Sequence, residues 1–255
     1  MGDINAMLAE ADRMDDLKAE LRHIGPGQPQ MVVDAGCGYG VATRYLASRF
    51  QSATVLGIDA SAAAVATARR YCRDHQNVLI EQGYLEALEL ASGSADLLLC
   101  RYVLGELGSA AQRATLGHFF RVLKPGARIH LVDHDGYLDQ LYPITPLISH
   151  SALMIKTVGM SNAGLGRRLP SMLEEAGFTD IRWDIDAMNL TGAAKFDAIE
   201  RYLAPLTNRA VTFDEVINMR GATARLRRDL LDCMNKPSSV FYCNRFVVSA
   251  TRPEA

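Results

Sequence analysis

The sequence predicts an α/β protein, a doubly wound and mostly parallel sheet with helices on both faces. Three observations carry that prediction. Short apolar runs alternate with helical patterns from residue 31 onward. The runs are nearly continuous rather than apolar at every second position, as expected of strands covered on both sides. A glycine-rich turn follows the first of them, where a βα unit approaches a ligand.

The elements follow in order. Ile4, Met7, Leu8, Ala11, Met14, Leu17, Leu21 and Ile24 recur at helical spacing, so residues 3–24 form an amphipathic N-terminal helix. GPGQPQ (25–30) interrupts it as a linker. MVVDA (31–35), TVLGID (54–59), NVLIEQ (77–82), ADLLLC (95–100) and ARIHLVD (127–133) read as five strands. Helices are expected over 40–50, over 61–74 with Ser61 as N-cap, and over 109–123. Lys124-Pro125-Gly126 reads as a turn ahead of the fifth strand. Beyond it lie helices over 143–160 and 167–178, the latter ended by Gly177, and a sixth strand over 180–188. A helical insertion over 190–235 and a final strand over 239–251 complete the pattern of seven strands.

Composition narrows the partners. A net charge of -2 over 255 residues gives no electrostatic reason to expect nucleic acid or an anionic membrane. The opening MGDINAMLAEADRMDD lacks a basic start and an apolar core, and Ala6 breaks a myristoylation pattern. No apolar run approaches the roughly 20 residues of a membrane helix. The five cysteines are scattered, never CxxC, and read as small buried residues of a reducing, cytoplasmic protein. A homo-oligomer is compatible with all of this.

VVDAGCGYG (32–40) carries the functional reading. Gly36, Gly38 and Gly40 let the backbone turn sharply after the first strand and approach a ligand without a Cβ. Asp59 ends the second strand, where a carboxylate can accept both hydroxyls of a ribose. Together they indicate an adenosine-type cofactor. In the dinucleotide pattern GxGxxG the sixth position is a glycine that lets the helix pack close, with the helix N-terminus facing a pyrophosphate. Here that position is Val41, and the GxGxG spacing suits a cofactor with no phosphate to neutralise.

VVDAGCGYG, the strand-ending GID (57–59), ADLLLCRYVLGEL (95–107) and RVLKPGARIHLVDHDG (121–136) resemble successive motifs of class I S-adenosylmethionine (SAM)-dependent methyltransferases. The resemblance spans about 31–187, and FYCNRFVVSATRP extends it to the final strand of that family's small-molecule branch. It implies a Rossmann-like seven-stranded sheet whose last strand runs antiparallel to the other six. It also implies one domain over 1–255: an N-terminal helix and linker (1–30), a SAM-binding core (31–136), and substrate-covering helical lid insertions (137–166 and 190–235). The resemblance assigns the cofactor to Asp34, Gly36, Cys37, Gly38, Gly40, Asp59, Ala60, Tyr84, Leu85 and Arg101. Where the family often has an acidic residue after the third strand, this chain has Gly83-Tyr84-Leu85. Adenine recognition then falls to backbone near Leu85 and to packing by Tyr84 and Ala60. Arg101 would meet the methionine carboxylate, or else a neighbouring acid.

Methyl transfer from a sulfonium is an in-line displacement, so positioning supplies much of the acceleration and a base is optional. In open α/β sheets the site lies beyond the carboxyl ends of the strands. His134 is the first candidate for a general base, since imidazole titrates near working pH, and a backbone-bonding role is its ordinary alternative. Glu106 is the second, with a solvated side chain as alternative. Tyr39, Tyr102, His150 and Met154 are candidates to line the acceptor pocket. Asp133 and Asp135, at i and i+2 on a strand, point apart, and no metal is expected. The expected acceptor is a small, partly apolar molecule methylated on O, N or C, in the manner of secondary metabolism. The rival readings are a protein of this fold with a non-methylating role, as a cyclase or regulatory partner, and an NAD(P)-dependent oxidoreductase.

Overall fold

The structure, a computed structural model, describes residues 14–135, 140–157, 162, 164–189, 200, 203 and 213–254. The first half of the expected N-terminal helix and much of the 190–235 insertion lie outside the described residues.

The elements are α1 (Met14–Glu20), β1 (Met31–Ala35), α2 (Val41–Arg49), β2 (Thr54–Asp59), α3 (Ala62–Tyr71), β3 (Val78–Gln82), β4 (Ala95–Arg101), α4 (Ser109–Val122) and β5 (Leu123–Asp135). They continue as β6 (Leu141–Tyr142), α5 (Pro146–Thr157), α6 (Leu165–Glu175), β7 (Thr179–Asn189), α7 (Phe213–Val216), α8 (Ala222–Met234) and β8 (Val240–Thr251). The strands join in the order β3-β2-β1-β4-β5-β8-β6, with β7 also on β8. The pairs among β1 to β5 are parallel. β8 passes β5 in the opposite sense. Gly126 N donates to Arg252 O and Arg252 N to Ala127 O, both at 2.8 Å, while Arg128 reaches back to Ser249.

The chain divides into two compact units. One comprises Met1–Asp133, Arg168–Asp184 and Phe246–Ala255, the other His134–Arg167 and Ile185–Arg245. In the first unit, one face of the sheet packs Val32, Val55, Leu97 and Leu99 against Leu46 and Phe50 of the α2 region and Leu17, Leu21 and Ile24 of the N-terminal segment. Each fully buried leucine contributes roughly 1.5–3 kcal/mol. Asn77 fastens the α2–β2 connection, its amide group donating to the carbonyls of Ala47, Phe50 and Ala53. Ser61 caps α3 as expected, its hydroxyl accepting from Ala64 N. In the second unit, Ile148 and Ala152 of α5 pack with Leu226, Leu230 and Met234 of α8 and with Leu141 and Phe241.

Four boundaries differ from the sequence expectation. α1 ends at Glu20, and residues 21–24 turn instead, with Leu21 N on Leu17 O and Ile24 N on Leu21 O. Lys124-Pro125-Gly126 is no separate turn. It lies inside β5 as an irregularity in the pairing with β4, because Arg252 of the distant C-terminal segment takes the Gly126 N–H. Gly126 does have the positive φ, +76°, that the sequence suggested. α5 starts at Pro146 because the Thr145 hydroxyl accepts from Ile148 N, a cap followed by proline at the first helical position. The two-residue β6, pairing antiparallel with β8, brings the sheet to eight strands.

Candidate active site

Parallel register sets the carboxyl ends of four strands in a row. Ala35 lies opposite Ile58 and Cys100, and Asp59 lies opposite Gln82. The connections after β1, β2, β3 and β4 therefore leave from one edge of the first unit, where open α/β sheets bind ligands.

The three glycines after β1 all have positive φ, at +79°, +53° and +87°, but they serve different ends. A Cβ on Gly36 would stand 2.1 Å from a methyl of Val103, so glycine there lets the β4 connection close on the loop. A Cβ on Gly40 would meet Cys72 Sγ at 3.0 Å and Ala68 at 3.1 Å, so glycine there admits α3. A Cβ on Gly38 meets no protein atom within 4 Å. The bare backbone at Gly38 is thus not required by packing, and it faces space.

Asp59 fixes that backbone. Its Oδ2 accepts from Gly38 N at 2.9 Å and its Oδ1 from Ser61 N at 2.9 Å. A carboxylate has about four lone-pair sites, so each oxygen keeps acceptor capacity for a hydroxyl. Gly36 N and Cys37 N both donate to Ile58 O, at 2.7 and 2.9 Å. The Cys37 side chain packs with Val65, Ala68 and Ile80, and burial pushes its thiol up from the ordinary range. With its N–H and thiol both turned to the protein, Cys37 acts as a packing residue of the loop.

At the end of β3, Gly83 N donates to Asp59 O, which draws the two strand ends together. Tyr84 is 59% exposed, Leu85 is buried, and Ala60 is exposed with its carbonyl accepting from Gln82 Nε2. An exposed aromatic ring beside a buried leucine offers one face for stacking and one wall for packing.

The end of β4 holds a feature not anticipated from sequence. Arg101 Nη2 lies 2.5 Å from Glu20 Oε2, and the Tyr102 hydroxyl donates to Glu20 Oε1 at 2.6 Å. Glu20 is 4% exposed, and Tyr102 has a positive φ of 57°. Strain of that kind in a non-glycine residue persists only where surrounding contacts hold it. Of the two partners expected for Arg101, a cofactor carboxylate or a neighbouring acid, the second is present as Glu20. The signal was present: Glu20 is an acid at i+3 from Leu17 and i−4 from Ile24, on the apolar stripe of the helix. Nearby, Asp34 is buried and accepts from Thr43 Oγ1 at 2.6 Å. Burial raises its pKa, against the Thr43 bond and the positive charge of Arg101.

The remaining candidates separate. Tyr39 is half-buried in the loop, and Glu106 is an exposed residue of a short 3₁₀ turn, Leu104–Glu106. Asp133, at the end of the first unit's share of β5, accepts from Gly105 N at 3.0 Å. Asp135 instead pairs with Arg167 at 2.6 Å inside the second unit. Among the described residues no group of three or more His, Cys, Asp or Glu is placed to hold a metal. His134 is half-buried, His150 exposed and Met154 half-buried, and all three belong to the second unit.

Residues 32–126 match the Methyltransferase domain family. An uncharacterized methyltransferase of Synechocystis sp. is 34% identical over 172 residues, 67% of this chain and 76% of the relative. The trans-aconitate 2-methyltransferase of Deinococcus radiodurans is 30% identical over 180 residues, 69% of this chain and 66% of the relative. The S-adenosyl-L-methionine-dependent Diels-Alderase of Talaromyces variabilis is 32% identical over 166 residues, 59% of this chain and 53% of that one. The fold is shared with phosphoethanolamine N-methyltransferase 2 of Haemonchus contortus, solved with phosphomonomethylethanolamine and S-adenosylhomocysteine. That similarity has a TM-score of 0.59 at 18% identity, over 94% of this chain and 53% of that one.

Proposed function

Because the chain belongs to the class I SAM-dependent methyltransferases, we propose that it methylates an O, N or C atom of a small, partly apolar organic molecule. SAM is its cofactor. The observation that carries the site is the Gly38 backbone, pinned by Asp59 and open where a side chain would project. Such a cradle is formed before ligand arrives, so little ordering is left to oppose binding.

When bound, the cofactor supplies an electrophilic methyl on a sulfonium. The chain's own residues bind, orient and exclude water. Asp59 takes the ribose hydroxyls, the loop at Gly36, Gly38 and Gly40 admits the adenosine, and Tyr84 with Leu85 and Ala60 receives the base. Asp34 and Arg101 set the polarity at the methionine end. His134 removes a proton from the acceptor where one must leave, with Glu106 as second candidate. Tyr39 and Tyr102, both of the first unit, select the acceptor. A small acceptor fits the modest net charge and the trans-aconitate methyltransferase among the relatives. No described helix is long and apolar enough to cross a membrane.

The test offers methyl-labelled SAM with a panel of small carboxylic acids, phenols and amines, then with cell extract. S-adenosylhomocysteine should form in step with one labelled product, and Asp59→Ala should abolish both. The Diels-Alderase among the relatives favours one second reading, a SAM-binding protein that rearranges or cyclises its substrate without methylating it. Tight SAM binding with no S-adenosylhomocysteine from any acceptor would overturn methyl transfer in its favour.

A further inference from the structure

Glu20 is a buried acid among apolar neighbours. Leu17, Leu21 and Ile24 around it belong to the core that covers Val32, Leu97 and Leu99. Burying such a group is costly unless partners compensate, and here they come from two strands. Its carboxylate takes Arg101 Nη2 and the Tyr102 hydroxyl at the end of β4, while its backbone oxygen accepts from His130 Nε2 of β5 at 2.6 Å. The Tyr102 contact also helps hold the positive φ there, together with Tyr102 N on Val132 O at 2.8 Å.

The place where Glu20 holds Arg101 lies in the path of the cofactor. The strands run β3-β2-β1-β4. With the base assigned to the end of β3 and the ribose to Asp59 on β2, the sulfur-bearing chain continues past β1 toward β4. Cys100 is the register partner of Ala35, so Arg101 stands where β1 gives way to Gly36. Asp34 is the partner of Leu99, two residues before Arg101, so Asp34 and Arg101 share a face of the sheet. Burial aside, the Asp34 carboxyl is drawn down by the charge of Arg101. Glu20 takes one terminal nitrogen of that guanidinium. Among the described residues Arg101 makes no other hydrogen bond or ion pair, and its side chain keeps 19% exposure. A guanidinium has five N–H donors, which leaves capacity for a second carboxylate.

We propose that Glu20 is a positioning residue for the cofactor, holding the Arg101 guanidinium at the end of β4 so that its remaining donors receive the carboxylate of the cofactor's amino-acid chain. Without the Glu20 charge, a mostly buried arginine has nothing to keep it inside and turns its head to water. The inference rests on the SAM-site reading but not on the acceptor or on methyl transfer.

Calorimetric titration of the whole chain with S-adenosylhomocysteine and with methylthioadenosine tests it, since the second keeps the nucleoside and sulfur but lacks the amino acid. The parent should bind both, S-adenosylhomocysteine the more tightly. Glu20→Gln keeps the shape and an acceptor for Tyr102. It should weaken S-adenosylhomocysteine about fivefold or more and leave methylthioadenosine within about twofold. Arg101→Met should weaken S-adenosylhomocysteine about tenfold and likewise spare methylthioadenosine. Adding Glu20→Gln to Arg101→Met should change neither affinity further, because the carboxylate acts through the guanidinium. A merely structural role would weaken both ligands together. That result, or unchanged or tighter S-adenosylhomocysteine binding in Glu20→Gln, would overturn the proposal while leaving the SAM site standing. A parent chain that binds neither ligand would remove the SAM site and the proposal with it.

Discussion

Gly36 and Gly38 share a motif and a sign of φ, yet substitution should separate them. Gly36→Ala forces a Cβ to 2.1 Å from Val103, and the left-handed backbone adds roughly 1–2 kcal/mol. With overpacking of about 1–3 kcal/mol, urea unfolding should show a loss of several kcal/mol. Gly38→Ala meets no protein atom and costs stability only the backbone term. It should still lower SAM affinity severalfold by calorimetry, because its methyl enters the space assigned to the cofactor. Retained affinity in Gly38→Ala would sink that assignment. Both glycines and Asp59 were legible in the sequence, because a backbone requirement or a strand-end carboxylate is written at one position. The thiol of Cys37 was not, since which side of a loop a residue turns to depends on what α3 and β3 bring against it.

At the scale of elements, α1 is held by a side chain whose partners lie 81 and 82 positions away, on Arg101 and Tyr102. Glu20→Ala leaves Arg101 without that carboxylate in a partly buried setting, where breaking an ion pair costs about 3 kcal/mol. Urea unfolding should show that loss, and limited proteolysis should cut the 14–24 segment faster than in the parent. Glu20→Gln keeps acceptor and shape for Tyr102 and should fall between. If Glu20→Ala unfolds at the parent midpoint, the contact contributes nothing. Elements with strong local signals were readable: the buried strands, the Ser61 cap, and the stop at Gly177, whose φ of +95° ends α6. The Lys124-Pro125-Gly126 segment misled because its hydrogen-bond partner is Arg252, and two-residue β6 has no pattern to detect. Both depend on pairing between distant segments.

For the molecule as a whole, His130 gives stability a dependence on acidity. Burial pushes its imidazole down from 6.5 to about 4. The unfolded chain therefore binds a proton that the folded one refuses, between these two values. The contribution is complete above pH 6.5 and is lost as pH falls toward 4, by about 2 kcal/mol between pH 7 and pH 5. Asp34, with a raised pKa, works in the opposite sense. Urea midpoints across this range should fall for the parent chain, and His130→Gln should be less stable at pH 7 yet flatter toward pH 5. An unchanged slope would show that His130 is not its source. The doubly wound class and the cofactor were legible because alternation and spacing repeat along the chain. The division into two compact units was not, since β5, β7 and β8 each run through both.

The position of β8 beside β5 also bears on how the molecule is assembled. Arg128 and Ser249 are separated by 121 residues, so the inner flank of β5 stays an open hydrogen-bonding edge until that stretch has been made. Such an edge invites pairing with other chains. Closing so long a span is entropically slow, and Lys124, Pro125 and the irregular backbone at Gly126 are features that discourage foreign strands from adding there. The segment that looked from sequence like a simple corner thus guards an unfinished seam until its rightful neighbour emerges.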